Sequence, residues 1–218
     1  MSEHQRLFIA STMNGDAATS MVELTRSLRQ QWQNTPFSTT VRWIPVEHWH
    51  LTWAFLGDTP TEKISVIAES LNRILRQQPS MLTHWEHLSW WPSPKRAQIL
   101  VGQLAPTPAL LTTAQAIREI SSQLFPPTSE KNKKSRSFKP HITLARIKTS
   151  HSRNMPSSSH RSEPKPAAQT QQKAPFLPPI PLTFPSWQIE NITLFQSQLC
   201  ATGATHSALY TVPLILGQ

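Results

Sequence analysis

The chain has 218 residues, with 21 Lys and Arg against 12 Asp and Glu, and a formal net charge of +9. Residues 1–130 hold ten basic and ten acidic residues, whereas 131–218 hold eleven basic residues against Glu163 and Glu190. The whole excess therefore lies in the second part. That asymmetry suits an anionic partner such as a nucleic acid or phosphate ester, or else a basic tail that only aids solubility. The length bounds the chain to one compact domain, or two small lobes sharing a core. No apolar run approaches the ~20 residues of a spanning helix, and Met1–Phe8 has no secretory h-region. A single Cys200 rules out a disulfide framework and a cysteine-rich zinc site, and fits a reducing cytoplasm. Asp16 and Asp58 are the only aspartates and the five glycines form no phosphate cradle, which argues against a two-carboxylate metal site and a P-loop.

In chain order, Arg6–Ala10 reads as a strand, and residues 17–33 as a helix with Met21, Leu24, Leu28 and Trp32 at helical spacing. Val41–Val46 reads as extended, and 50–56 (HLTWAFL) as a strand closed by Gly57. Thr59, Pro60 and Glu62 form a capping box that predicts a helix start, with Ile64, Ile67, Ala68, Leu71 and Leu75 as its buried stripe. Two strands, 81–88 and 97–104, flank a turn at Pro92–Pro94, and Thr107–Pro108 opens a further helix. Residues 127–137 are a basic loop, and 141–147 (HITLARI) a strand. Residues 148–185 hold eight of the twenty prolines and are expected to be a disordered or partly extended insertion. Strands at 187–196 and 207–214 close the chain. The order β-α-β-β-α-β-β-α-β-β is α+β with a mostly antiparallel sheet system.

Two of these strands share one pattern. His50-Leu51-Thr52-Trp53-Ala54 and His141-Ile142-Thr143-Leu144-Ala145 both read His-φ-Thr-φ-Ala, with φ apolar. About 0.13 such copies are expected by chance, so two are informative. Side chains alternate along a strand, which puts each His beside its Thr on one face and the φ residues in the core. By the same parity the alanines fall on the His/Thr face and leave room for a ligand. Two such strands facing each other suit acid–base catalysis on a phosphate ester. One imidazole deprotonates the attacking water, the other protonates the leaving oxygen, and the hydroxyls hold non-bridging oxygens, with no metal required.

With these motifs the chain resembles the 2H phosphoesterases, and within them the RNA 2′,3′-cyclic phosphodiesterases, also called 2′-5′ RNA ligase-like proteins. RLFIA, Val41–Ile44 before HLTWAFLG, Trp91-Pro92-Ser93-Pro94 before AQILVG, Phe138-Lys139-Pro140-HITLAR and ITLFQSQL all carry the likeness. The resemblance implies two similar lobes, each an antiparallel sheet backed by helices, around a cleft holding one His-x-Thr from each. It implies His50 as general acid and His141 as general base, with Thr52 and Thr143 on the phosphate and Arg136, Phe138 and Arg146 as further substrate contacts. Strand parity sets Arg146 with Ile142 and Leu144, so it reaches the pocket only if the strand ends or bulges there. A cytoplasmic monomer acting on RNA with a 2′,3′-cyclic phosphate end, without cofactor, metal or membrane, is the expectation. Two other readings are a non-catalytic RNA-binding protein on the same fold, and an enzyme that takes a small cyclic phosphate or joins RNA ends through a 2′-5′ bond.

The remaining candidates have plain readings. His48-Trp49-His50 could be half of a zinc site, but no Cys or carboxylate cluster accompanies it. His84 and His87 read as surface or strand-end residues. Trp49, Trp90 and Trp91 could stack on bases, and Lys131, Lys133 and Lys134 could steer RNA.

Overall fold

Apolar alternation in RLFIA makes β1 (His4–Thr12), which turns Leu7 and Ile9 into the main core. Phe8 and Ala10 point the other way and join Phe195 in a small second cluster. The computed structural model describes residues 3–125, 137–147, 174–200 and 203–216. After β1 come α1 (Gly15–Gln31), the one-turn α2 (Phe37–Thr40), β2 (Val41–Trp43) and β3 (His50–Pro60). The helix expected at Thr59 starts later. Thr59 pairs with Gln5 in the β1–β3 ladder and is fully buried, so its backbone belongs to the sheet. A 3-10 turn at Thr61–Lys63 precedes α3 (Ile64–Leu75). A cap contributes only about 1 kcal/mol, less than the ladder and burial it would have to replace.

The strand expected at 81–88 is split into β4 (Met81–Thr83) and β5 (Trp85–Trp91), followed by β6 (Ile99–Leu104). Then come α4 (Pro108–Leu124), capped by the Thr107 hydroxyl accepting the Leu110 N–H at 3.3 Å, and β7 (His141–Ile147). The chain closes with β8 (Trp187–Ile189), β9 (Asn191–Cys200) and β10 (Gly203–Pro213). Of the proline-rich stretch, 148–173 lies outside the described residues. Residues 174–185 form neither helix nor strand but are anchored. The Trp90 indole N–H donates to the Pro175 carbonyl at 3.0 Å, and Leu177, Ile180 and Phe184 pack on the core.

The main sheet runs β10-β9-β1-β3-β7-β6-β5, with β2 paired to the end of β7, while β4 and β8 form a separate pair. Every pairing between these strands is antiparallel. The two expected lobes are its two halves. In one, β10-β9-β1-β3 is backed by α3 and α4, with α4 on β3 and α3 on β10. In the other, β7-β6-β5 and β2 are backed by α1. Trp32, just past the end of α1, lies against Trp43 and Trp90, their ring centres 5.5 and 5.7 Å away. Gly102 in β6 permits close packing there, since a Cβ would lie 2.7 Å from the Trp85 ring. Among the described residues no helix is long and apolar enough to cross a membrane.

Candidate active site

Each motif strand carries the same irregularity at the same place. In β3, His50 pairs with Thr12 and Thr52 with Ala10, then the ladder skips Trp53 and Ala54 pairs with Ile9. In β7, His141 pairs with Gln103 and Thr143 with Val101, then the ladder skips Leu144 and Ala145 pairs with Leu100. Directly paired residues share a face. The bulge therefore turns Ala54 and Ala145 toward the core, where Ala145 is fully buried. This corrects the expectation that the alanines floor the pocket, because unbroken alternation does not survive the extra residue. The residue after each alanine is thrown back onto the His/Thr face. On β3 that is Phe55, paired with Phe8. On β7 it is Arg146, paired with Ile99 and with Arg42 of β2. The bulge that Arg146 required is present.

The halves of the sheet meet through the pair Leu51–Ile142. Antiparallel sense then sets His50 across from Thr143 and His141 across from Thr52, as if a local two-fold axis passed between Leu51 and Ile142. The rings are held alike. His50 Nδ1 lies 2.7 Å from the His48 carbonyl, and His141 Nδ1 2.8 Å from the Lys139 carbonyl. A carbonyl can only accept, so each Nδ1 carries the proton and each Nε2 is left for exchange.

The surroundings differ. His50 lies 5.2 Å from the Phe8 ring and 5.6 Å from that of His206, which stands edge-on to it and 5.6 Å from His48. His141 lies 4.4 Å from the Trp91 ring. Burial pushes His50 from its ordinary 6.5 down to about 4; its hydrogen bond to His48 opposes this, and repulsion from His206, His48 and His141 adds to it. Burial also lowers His141, against its bond to Lys139, and lowers His206, with repulsion from His48 adding. His206 escaped the sequence reading because β10 was expected from 207. The strand starts at Gly203 and pairs His206 with Ser197, two residues beyond Phe195 on the same face.

Thr52 and Thr143 are half-buried beside the two imidazoles. Phe138 is placed elsewhere, stacked 5.6 Å from Trp53 with the Arg118 guanidinium 5.5 Å from its ring. Arg136, Lys131, Lys133 and Lys134 lie outside the described residues. Trp49 and Trp90 are buried in the core, leaving Trp91 beside the site. His84 bonds Ser186, and His87 bonds Gln103. Among the described residues no group of three or more His, Cys, Asp or Glu is placed to hold a metal ion.

The profile of the family described as "LigT like Phosphoesterase" matches residues 20–101. An RNA 2′,3′-cyclic phosphodiesterase of Thermotoga maritima is 30% identical over 144 residues, covering 66% of this chain and 70% of that protein. The Escherichia coli protein of the same name is 29% identical over 151 residues, covering 67% and 74%. The crystal structure of a Thermus thermophilus protein superposes with a TM-score of 0.71 at 22% identity, covering 96% of this chain and 97% of that one.

Proposed function

The chain belongs to the LigT-like phosphoesterase family, and from that premise we propose that it opens 2′,3′-cyclic phosphates at RNA ends to 2′-phosphomonoesters. The observation that carries this reading is the pair of imidazoles at the Leu51–Ile142 junction, each with Nδ1 tied to a carbonyl and Nε2 free. His141 Nε2 takes a proton from water as its oxygen attacks phosphorus. The bond from phosphorus to the 3′ oxygen breaks, and that oxygen takes the proton from His50 Nε2. Thr52 and Thr143 donate to the non-bridging oxygens. The bound phosphate's negative charge favours the imidazolium form of His50, offsetting the effect of burial. Two imidazoles supply both proton transfers, so the reading needs no metal or cofactor. We read the chain as one bilobal domain that includes the 148–185 insertion and acts as a cytoplasmic monomer. The names of the relatives support an RNA substrate.

The test is an oligonucleotide ending in a 2′,3′-cyclic phosphate, incubated with the protein in EDTA. A 2′-phosphate product is expected. A 3′-phosphate product, or no turnover in EDTA, would overturn the mechanism.

A further inference from the structure

Trp91 meets His141 from two rows away. Three cross-strand rows share the His141/Thr143 face: His87–Gln103–His141, Ser89–Val101–Thr143 and Trp91–Ile99–Arg146. The Trp91 ring starts in the third row, yet its centre lies 4.4 Å from that of the imidazole in the first, with the planes tilted 47°. The indole therefore leans back past the middle row, where Val101 is fully buried. Rings that close cannot meet rim to rim, so part of one lies over the other. A cation within about 6 Å of an indole centre is drawn to its electron-rich face, and an imidazole becomes such a cation only when it takes a proton.

The titratable and charged groups around His141 act the other way. They are His50 across the Leu51–Ile142 junction, His87 on β5, which is bonded to Gln103, Arg146 on β7, and Lys139 two residues before the ring. All are cationic or neutral, none of the three rows carries a carboxylate, and burial adds to their effect. Among these neighbours the indole alone favours a proton on His141. His50 has a phenyl ring, a weaker π partner, at 5.2 Å, with repulsion from His48 and His206 against it.

We propose that Trp91 is a positioning residue for His141: its indole braces the imidazole, whose Nδ1 is tied to Lys139, and stabilises the imidazolium formed when the attacking water gives its proton to Nε2. This rests on the phosphodiesterase reading and sharpens it, since it makes proton uptake easier at His141 than at His50 and so assigns the base.

The test is an NMR titration of the His141 ring without substrate, alongside kcat and KM on an oligonucleotide ending in a 2′,3′-cyclic phosphate. Trp91→Leu keeps apolar cover and loses the π face. It should weaken proton binding at His141 about threefold and lower kcat severalfold with KM nearly unchanged, and Trp91→Phe should restore most of both. Unchanged or tighter proton binding in Trp91→Leu would mean that the ring only buries His141, and would overturn the proposal. So would a higher KM with the titration unaltered, the mark of a ring that stacks on substrate instead. Absence of turnover in the wild type would sink the phosphodiesterase reading and the base role with it. The titration needs no substrate, so the two failures are distinguishable.

Discussion

His50 and His141 each stand one residue before the pair Leu51–Ile142 that joins the halves of the sheet, so each imidazole faces the other strand's threonine. A substrate phosphate placed there meets both rings at once. His50→Ala and His141→Ala should each lower kcat by at least ~10²-fold, the usual contribution of one proton-transfer group. Single-turnover rates measure this, with circular dichroism to establish that each variant folds.

The rate should depend on pH differently in its two parameters. kcat/KM reports the free protein, in which burial holds His50 near 4 and His141 below its ordinary value, so both limbs of that profile should lie below pH 6.5. kcat reports the complex, whose phosphate raises both groups. Its profile should be displaced to higher pH, and coincident profiles would contradict the electrostatic coupling.

Folding should follow the same groups. The unfolded chain protonates His50 near 6.5 and the folded chain near 4, so between these values the unfolded state binds more protons. Stability should therefore fall as pH drops from about 6.5 to about 4. Urea midpoints across that range should flatten in His50→Gln.

His206→Ala removes cover and a repulsive neighbour from His50. Both changes raise the His50 pKa. The basic limb of kcat/KM governed by His50 should move to higher pH, which loss of packing elsewhere would not cause.

Ala145→Val tests the bulge. With Ala145 packed among core residues, the added methyls should cost about 1–3 kcal/mol in urea unfolding. If Ala145 lined the pocket instead, KM would rise with stability unchanged.

Both histidines and threonines were legible because a period-two pattern repeated in two strands is a strong signal, and it needs only the first three residues of each motif to be regular. The alanines were misread at the next step. A bulge leaves no mark in a run such as Thr-Trp-Ala or Thr-Leu-Ala, since its extra residue is as apolar as the core it enters. Thr59 misled for another reason: its cap signal is local, while its pairing with Gln5 spans the chain from one strand to another. His206 was invisible as a neighbour of the candidate site because only the sheet order brings β10 to the same face as the motifs.

The near-symmetry of the two motif strands has a consequence for the direction of chemistry. Two equivalent imidazoles with the same tautomer have no inherent polarity: a substrate turned end for end would exchange donor and acceptor. What distinguishes them is the neighbourhood, with Phe8, His48 and His206 around one ring and Trp91 beside the other. In the proposed reaction, the orientation in which a nucleotide enters, and with it which bond to phosphorus is cut, would thus be set by residues outside the repeat.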